Sequence, residues 1–357
     1  MSSDGSAGEP SVSVLIAVHN GRPYVESAVR SIMEQTLREI EIVVVDDAST
    51  DDTPEVLCRL AAEDGRIRIE RLSRNLGPAG AANHGLDLVR APLVARMDAD
   101  DLSYPSRLAV QKRYMDLHPE VVALGTSLRY VGPDGAPRHT AVRPRDPVMC
   151  RWVMRWRPPV GHPTMMMRRH LPDGSATLYD ASYRIALDYD ILERLSWQGE
   201  IACLPDVLLD YRQHAASITG TKLSVQKDVG RAVSLRFLER DLPADVAAAL
   251  VVPRRAFFDQ ARCDPAEVFE GLRRLLRHDL DQHPSHAAWL WRQTAQLAHE
   301  TLRRSGHSRA EVAAAFLRSG RDLLPSLVAR FGEASSVLPR GLSTQPDLWK
   351  APRVGQA

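Results

Sequence analysis

Short apolar runs that end in polar residues recur through the first half of the chain. The clearest are Val12–Val18, Ile40–Val45 and Leu93–Met97, and Arg66–Leu72 is predicted as a further short strand. Runs of this length bounded by turn residues are typical of buried strands. Segments with helical spacing, such as Tyr24–Met33, separate them. Strands that alternate with helices predict an α/β fold with a mostly parallel sheet sandwiched by helices.

The pattern changes in the second half of the chain. Further strands are predicted at Val121–Val131, Gly161–Arg169 and Val207–Tyr211, and from about residue 221 the spacing becomes helical, with basic residues opposite Leu, Val, Ala and Trp. We therefore expect four regions along the sequence. These are a flexible N-terminus at 1–10, an α/β domain at 11–220, a helical C-terminal region at 221–334 and a mobile tail at 335–357.

Composition narrows the class of protein. The 357 residues are 44% hydrophobic and 25% charged, with a net charge of +1, which is typical of globular proteins. This balance favours neither a nucleic-acid groove nor a polybasic membrane patch. The four cysteines are scattered, which favours a reducing compartment, and the cytoplasm is the expected location.

Membrane association is expected to be limited. The small, polar N-terminus does not resemble a signal peptide, and no apolar stretch approaches the roughly 20 residues needed to span a bilayer. A peripheral contact through Trp289 and Trp291 stays open.

Three acidic residues follow the fourth predicted strand. Asp98 and Asp100 are separated only by Ala99, and Asp101 comes next. The carboxyl end of a strand is where open α/β sheets bind ligands. Carboxylates at this spacing can bind Mg²⁺ or Mn²⁺, with substrate phosphates and water as further ligands. The alternative is a solvated loop before the next helix, since Ser103 and Ser106 are typical helix-start residues.

Polar residues also follow other predicted strands and turns. Asp46 and Asp47 end the second strand, and Asn75–Gly77 forms a strand-to-helix turn that can approach phosphate. His162 precedes a strand, where a structural role competes with a site role. Asp188 opens an amphipathic helix, where an acid can also stabilise the helix dipole.

Five motifs in order resemble family-2 glycosyltransferases of the GT-A fold. They are Ser13–Asn20, Val44–Asp51, Asn75–Gly77, Met97–Asp101 and Asp188–Asp190, and the resemblance covers about residues 11 to 220. It implies a nucleotide-sugar donor, usually a UDP-sugar, a divalent metal at the acidic motif, and inversion at the anomeric carbon of the transferred sugar.

The resemblance also implies roles for individual residues. Those matching donor-binding positions are Ala17, Val18, His19, Asn20, Asp46, Asp47, Asn75, Gly77, Asp98 and Asp100. Asp100 matches the metal ligand and Asp188 the general base. His214 matches a position that holds the metal or the diphosphate, and His162 is expected on the acceptor side. Ala82 departs from the family pattern, because an arginine that can meet the donor is common there.

These residue types suit glycosyl transfer. A metal ion neutralises a leaving diphosphate, and a carboxylate such as Asp188 can take the proton of the attacking hydroxyl. One base and one displacement give inversion. The expected pathway is cell-surface glycan or secondary-metabolite biosynthesis. The acceptor class, whether glycan, lipid-linked glycan, peptide or small molecule, stays open.

Four other readings compete with this one. An NAD-dependent oxidoreductase is disfavoured because the glycine-rich fingerprint is missing after the first strand. A nucleotidyltransferase lacks the expected basic, glycine-rich loop. A processive synthase is disfavoured by the absence of a Gln-x-x-Arg-Trp motif and of membrane spans. A catalytically weak nucleotide-sugar-binding subunit is the remaining alternative.

Overall fold

The computed structural model describes residues 9–183, 185–215 and 223–319. These residues divide into two compact units, with the division between Ser234 and Leu235. The first unit contains a nine-stranded sheet and the second contains helices. The expected N-terminal tail lies outside the described residues except for its last two, and the expected tail at 335–357 lies wholly outside them.

The strands and helices alternate through the first unit. The strands are β1 (Val12–Val18), β2 (Ile40–Asp46), β3 (Ile67–Arg71), β4 (Leu93–Asp98), β5 (Leu102–Ser103), β6 (Val121–Val131), β7 (Pro137–Ala141), β8 (Met166–Arg168) and β9 (Glu200–Arg212). The helices are α1 (Val25–Met33), α2 (Thr53–Glu63), α3 (Gly77–Leu88), α4 (Arg107–Leu117), α5 (Pro147–Met154) and α6 (Leu187–Leu195). A short 3₁₀ helix covers His162–Thr164.

Helices make up the rest of the described chain. They are α7 (Leu223–Asp241), α8 (Ala244–Ala249), α9 (Val251–Phe258), α10 (Pro265–Gln282), α11 (Ala287–Arg304) and α12 (Arg309–Ser319). The prediction of a helical C-terminal region is therefore confirmed for the residues described. Trp289 and Trp291 are half-buried on α11. No helix in these described segments is long and apolar enough to cross a membrane.

The sheet has the order β3-β2-β1-β4-β8-β6-β9-β5, with β7 beside β6. The first four strands are parallel to one another. The short strand β8 runs antiparallel to both β4 and β6, and β9 is parallel to β6. Strands β6 and β9 therefore run in the same direction as β1 to β4. The predicted α/β fold is confirmed, and its mostly parallel sheet is mixed because β5, β7 and β8 run the other way.

The core lies where the parallel strands are covered on both faces. Every residue of β2 is buried, as expected for a central strand of such a sheet. Helix α3 packs closely on β1 at Gly85, where an added Cβ would lie 2.2 Å from Leu15 Cδ1. This close approach brings the start of α3 beside the carboxyl ends of β1 and β2, where the polar residues lie.

Candidate active site

A cavity of about 1140 Å³ opens at the carboxyl ends of β1 and β4. Its lining includes every residue predicted for the site except Asp46. The predicted residues brought together there are Ala17, Val18, His19, Asn20, Asp47, Asn75, Gly77, Asp98, Asp100, His162, Asp188 and His214. Residues that are distant in sequence therefore share one site, which is large enough for a small-molecule ligand.

Asp47 joins the segments on the β1–β2 side of the cavity. Its carboxylate accepts hydrogen bonds from the backbone N–H groups of Leu76, at 2.6 Å, and Gly77, at 2.9 Å. Its carbonyl oxygen lies 2.9 Å from His19 Nδ1 and accepts a hydrogen bond from Asn75 Nδ2 at 3.2 Å. Gly77 has a φ of +79°, a conformation that favours glycine. Asp47 thus fixes the turn at the start of α3.

The carboxylate of Asp46 lies outside the cavity lining. It is buried, and its Oδ1 accepts a hydrogen bond from the Ser49 N–H at 2.9 Å. Arg71 Nε lies 3.4 Å from the other carboxylate oxygen. The next residue, Ala48, has a φ of +58°. Asp46 therefore holds this turn in shape, and of the acidic pair only Asp47 reaches the cavity.

The acidic motif places Asp98 and Asp100 at the cavity, each with about a third of its side chain exposed (32% and 33%). Burial raises the pKa of Asp98 to about 6, and the charges of Asp100 and Asp188 also raise it. Arg96 opposes this shift, with its Nη2 lying 3.3 Å from Asp98 Oδ1. The two neighbouring negative charges thus disfavour the ionised form of Asp98, and a bound cation would relieve this repulsion.

The side chains of Asp100 and His214 are in contact at the acidic motif. His214 Nε2 lies 2.9 Å from Asp100 Oδ2, and the His214 ring packs against the Tyr24 ring at a tilt of 41°, with 4.9 Å between centroids. Across the described segments, no group of three or more His, Cys, Asp or Glu side chains is placed to hold a metal. One carboxylate and one imidazole do suit Mn²⁺ or Mg²⁺ when substrate phosphates and water supply the other ligands.

Arg212 fixes the loop that carries these acids. Its backbone N–H donates to Asp101 Oδ1 at 2.8 Å, and its Nε donates to the carbonyl oxygen of Asp100 at 2.9 Å. Its guanidinium also lies over the Tyr24 ring, 4.8 Å from the centroid. Burial raises the pKa of Asp101 well above its usual range. Arg212 was not predicted as a site residue, although it lies two residues before His214 in the sequence.

Asp188 and Asp190 have different surroundings in α6. Asp188 is half-buried and lines the cavity, and burial raises its pKa while the charge of Arg143 lowers it. Asp190 is buried, and its Oδ2 accepts a hydrogen bond from Arg194 Nε at 2.9 Å. Ala186, just before the helix, has a φ of +55°. Such a backbone is uncommon for alanine and often occurs at functional sites.

His162 also lines the cavity. Its Nε2 lies 2.8 Å from the Tyr179 hydroxyl. Burial, and then the nearby charge of Arg96, lower the pKa of His162 well below 6.5. Sequence reasoning missed Arg96, Arg143 and Tyr179. The visible signals were a cation inside an apolar strand and an arginine-rich segment after residue 142.

Comparison with known proteins agrees with this geometry. The model of the family "Glycosyl transferase family 2" matches residues 13–184. The amylovoran biosynthesis glycosyltransferase AmsE of Erwinia amylovora is 31% identical over 206 residues, which cover 56% of this chain and 75% of AmsE. The chain belongs to glycosyl transferase family 2. The matched region spans between 56% and 66% of three other curated relatives.

Solved structures share the GT-A-type fold of this family-2 member. S. aureus TarS 1-349 in complex with UDP-GlcNAc has a TM-score of 0.56 and 17% identity, over 90% of this chain and 92% of that one. The mannosyltransferase PcManGT from Pyrobaculum calidifontis, in complex with GDP-Man and Mn²⁺, has a TM-score of 0.51 and 20% identity, over 88% of each chain. At these identities the likeness concerns the fold.

Proposed function

We propose that this protein is an inverting, metal-dependent glycosyltransferase that moves a sugar from a nucleotide-sugar, with a UDP-sugar as the expected donor, to an acceptor hydroxyl in glycan biosynthesis. The observation that carries the proposal is the convergence of Asp98, Asp100 and Asp188 at one cavity beside the turn held by Asp47. TarS with UDP-GlcNAc and PcManGT with GDP-Man and Mn²⁺ offer support from proteins of the same fold.

In this mechanism the nucleotide lies on the β1–β2 side and the reacting sugar lies near Asp98. Asp100 and His214 are the proposed holders of Mn²⁺ or Mg²⁺, which when bound supplies Lewis-acid stabilisation of the leaving diphosphate. Asp188 takes the proton of the acceptor hydroxyl as its oxygen bonds to the anomeric carbon, and the bond from that carbon to the diphosphate breaks. A single displacement inverts the anomeric centre.

The test uses water as the acceptor, because slow hydrolysis of a donor needs no identified partner. Asp188→Asn is expected to keep its affinity for UDP while donor hydrolysis falls by about 100-fold to 10,000-fold, the range for loss of a general base. Asp190→Asn is the matched control, since Asp190 is bound to Arg194 in the same helix. It should act mainly on stability. Hydrolysis is measured by UDP release from several UDP-sugars with Mn²⁺.

Two outcomes would overturn the proposal. Near-parent hydrolysis by Asp188→Asn, together with loss of hydrolysis in folded Asp190→Asn, would reverse the assignment of the base. Tight UDP binding by the parent without hydrolysis of any donor would instead indicate a catalytically weak nucleotide-sugar-binding subunit.

A further inference from the structure

Arg143 is a cation of the cavity wall with no assigned partner. It follows β7 and lines the cavity. Its Nε is buried and has no hydrogen-bond partner. Within residues 9–183, 185–215 and 223–319, no carboxylate forms an ion pair with its guanidinium. Arg96, the other arginine of the lining, is by contrast already paired with Asp98.

The position of Arg143 separates it from the nucleotide side. Its backbone N–H donates to Ser127 Oγ, on β6, at 3.0 Å. Strand β6 is three steps from β1 in the sheet, with β4 and β8 between them. Because neighbouring strands lie about 4.8 Å apart, this distance is roughly 14 Å. Arg143 nevertheless lines the same cavity as Asp188, the proposed base.

Apolar and aromatic side chains line the same cavity as Arg143. Leu128 and Val160 are buried residues of this lining. Gly161 lies close to both Leu128 and Arg143, since a Cβ there would lie 3.6 Å from Arg143 Nη2 and 2.7 Å from Leu128 Cδ2. The rings of Tyr130 and Tyr211 meet with 5.2 Å between centroids and also line the cavity. A cation beside apolar walls is weakly screened and binds an anion more strongly than one in open solvent.

We propose that Arg143 forms an anion subsite for the acceptor, so that the protein prefers an acceptor carrying a phosphate or carboxylate group near its attacking hydroxyl. This inference rests on the proposed glycosyl transfer, in which Asp188 receives the proton of that hydroxyl. Guanidinium groups bind both anions through paired N–H donors. Tyrosine side chains elsewhere in the same cavity lining suit packing against the body of a sugar.

The test measures binding of three probes of similar size by calorimetry. Glucose 6-phosphate, glucuronate and neutral methyl glucoside are titrated into the full chain, once with saturating UDP and Mn²⁺ and once without either. At least one anionic probe should bind about 10-fold or more tightly than methyl glucoside, as expected for a charge-assisted contact. The preferred probe identifies the anion as phosphate or carboxylate.

Variants assign the preference to Arg143. Arg143→Gln should abolish it and leave UDP affinity unchanged within about twofold, and Arg143→Lys should retain part of it. Arg145→Gln is the matched control, because Arg145 belongs to the same segment, is exposed and does not line the cavity. It should keep the full preference.

Several results would overturn this inference. They are equal binding of all three probes, a preference that survives in Arg143→Gln, or a loss of UDP affinity in Arg143→Gln, which would assign Arg143 to the donor. If the parent fails to bind UDP but keeps an Arg143-dependent anion preference, the proposed function fails and the anion subsite remains.

Discussion

The ionised form of the Asp98 carboxylate is less stable than that of a fully exposed carboxylate. Burial and the charges of Asp100 and Asp188 raise its pKa to about 6, and Arg96 compensates only in part. Residues of this kind are selected for binding rather than for stability, and removing them often stabilises the free protein. The repulsion among these acids is therefore a measurable property of the unliganded site.

We predict that Asp98→Asn is more stable than the parent at about pH 8, by roughly 1 kcal/mol after allowance for the partial exposure of the carboxylate. The folded-state pKa of about 6 exceeds the ordinary value of 3.8, so the folded parent binds the proton more tightly than the unfolded chain. Its stability therefore falls as the pH rises between these values. The advantage of Asp98→Asn should vanish near pH 4. Urea unfolding at both pH values measures this.

Asp116→Asn is the control for this prediction. Asp116 is exposed and paired with Lys112, so its removal should change stability by no more than about 1 kcal/mol and should not stabilise the protein. Equal stability of the parent and Asp98→Asn at about pH 8 would show that the acidic cluster carries no such penalty.

The acidic residues of the candidate site could be predicted from the sequence, but which of them reach the cavity could not. Asp46 is the last residue of β2 and Asp47 follows it directly, and side chains of successive residues in extended backbone alternate between faces, so only one of them reaches the cavity. Which one does depends on the register of β2 against β1, and the structure places Asp47 there. The place of Arg143 in the cavity wall could not be predicted either, because its position depends on the pairing of β7 with β6.

At the scale of elements, strands with a long apolar run were easier to predict from the sequence than short strands. Strands β1, β2 and β4 were visible as apolar runs, whereas β5 has two residues and β7 is largely exposed. Such strands form because a neighbour offers free backbone groups, not because of their own pattern. Only the end of β9 was predicted, since Pro205 and Asp206 interrupt its apolar pattern.

The packing of α3 on β1 yields a prediction at this scale. Gly85→Ala should destabilise the protein by about 1 to 3 kcal/mol, because the added methyl group meets Leu15 and Val45 in a filled core. It should also weaken UDP binding, since α3 carries the turn that Asp47 holds. Gly65→Ala is the control, because no atom lies within 4 Å of the added Cβ. Thermal unfolding compares the two variants, and equal destabilisation would contradict the close packing of α3.

At the scale of the molecule, the cavity belongs entirely to the first unit. Its described lining runs from Ala17 to Ala215, before the division at Ser234. The second unit has its own buried core of leucine and phenylalanine side chains, including Phe269, Leu272 and Leu276 on α10. Ligand binding at the cavity should therefore stabilise the first unit directly.

We predict that UDP with Mn²⁺ raises the melting temperature of the protein and that chelation of the metal reverses most of the rise. At a ligand concentration 100 times the dissociation constant, the stabilisation is about 2.7 kcal/mol. Asp100→Asn should lose the metal-dependent part, because Asp100 is one of the two residues proposed to hold the cation. Amide hydrogen exchange should slow at the ends of β1 and β4 and change little in α10. The same rise with a chelator present, or protection confined to α10, would contradict a metal-assisted nucleotide site at these strand ends.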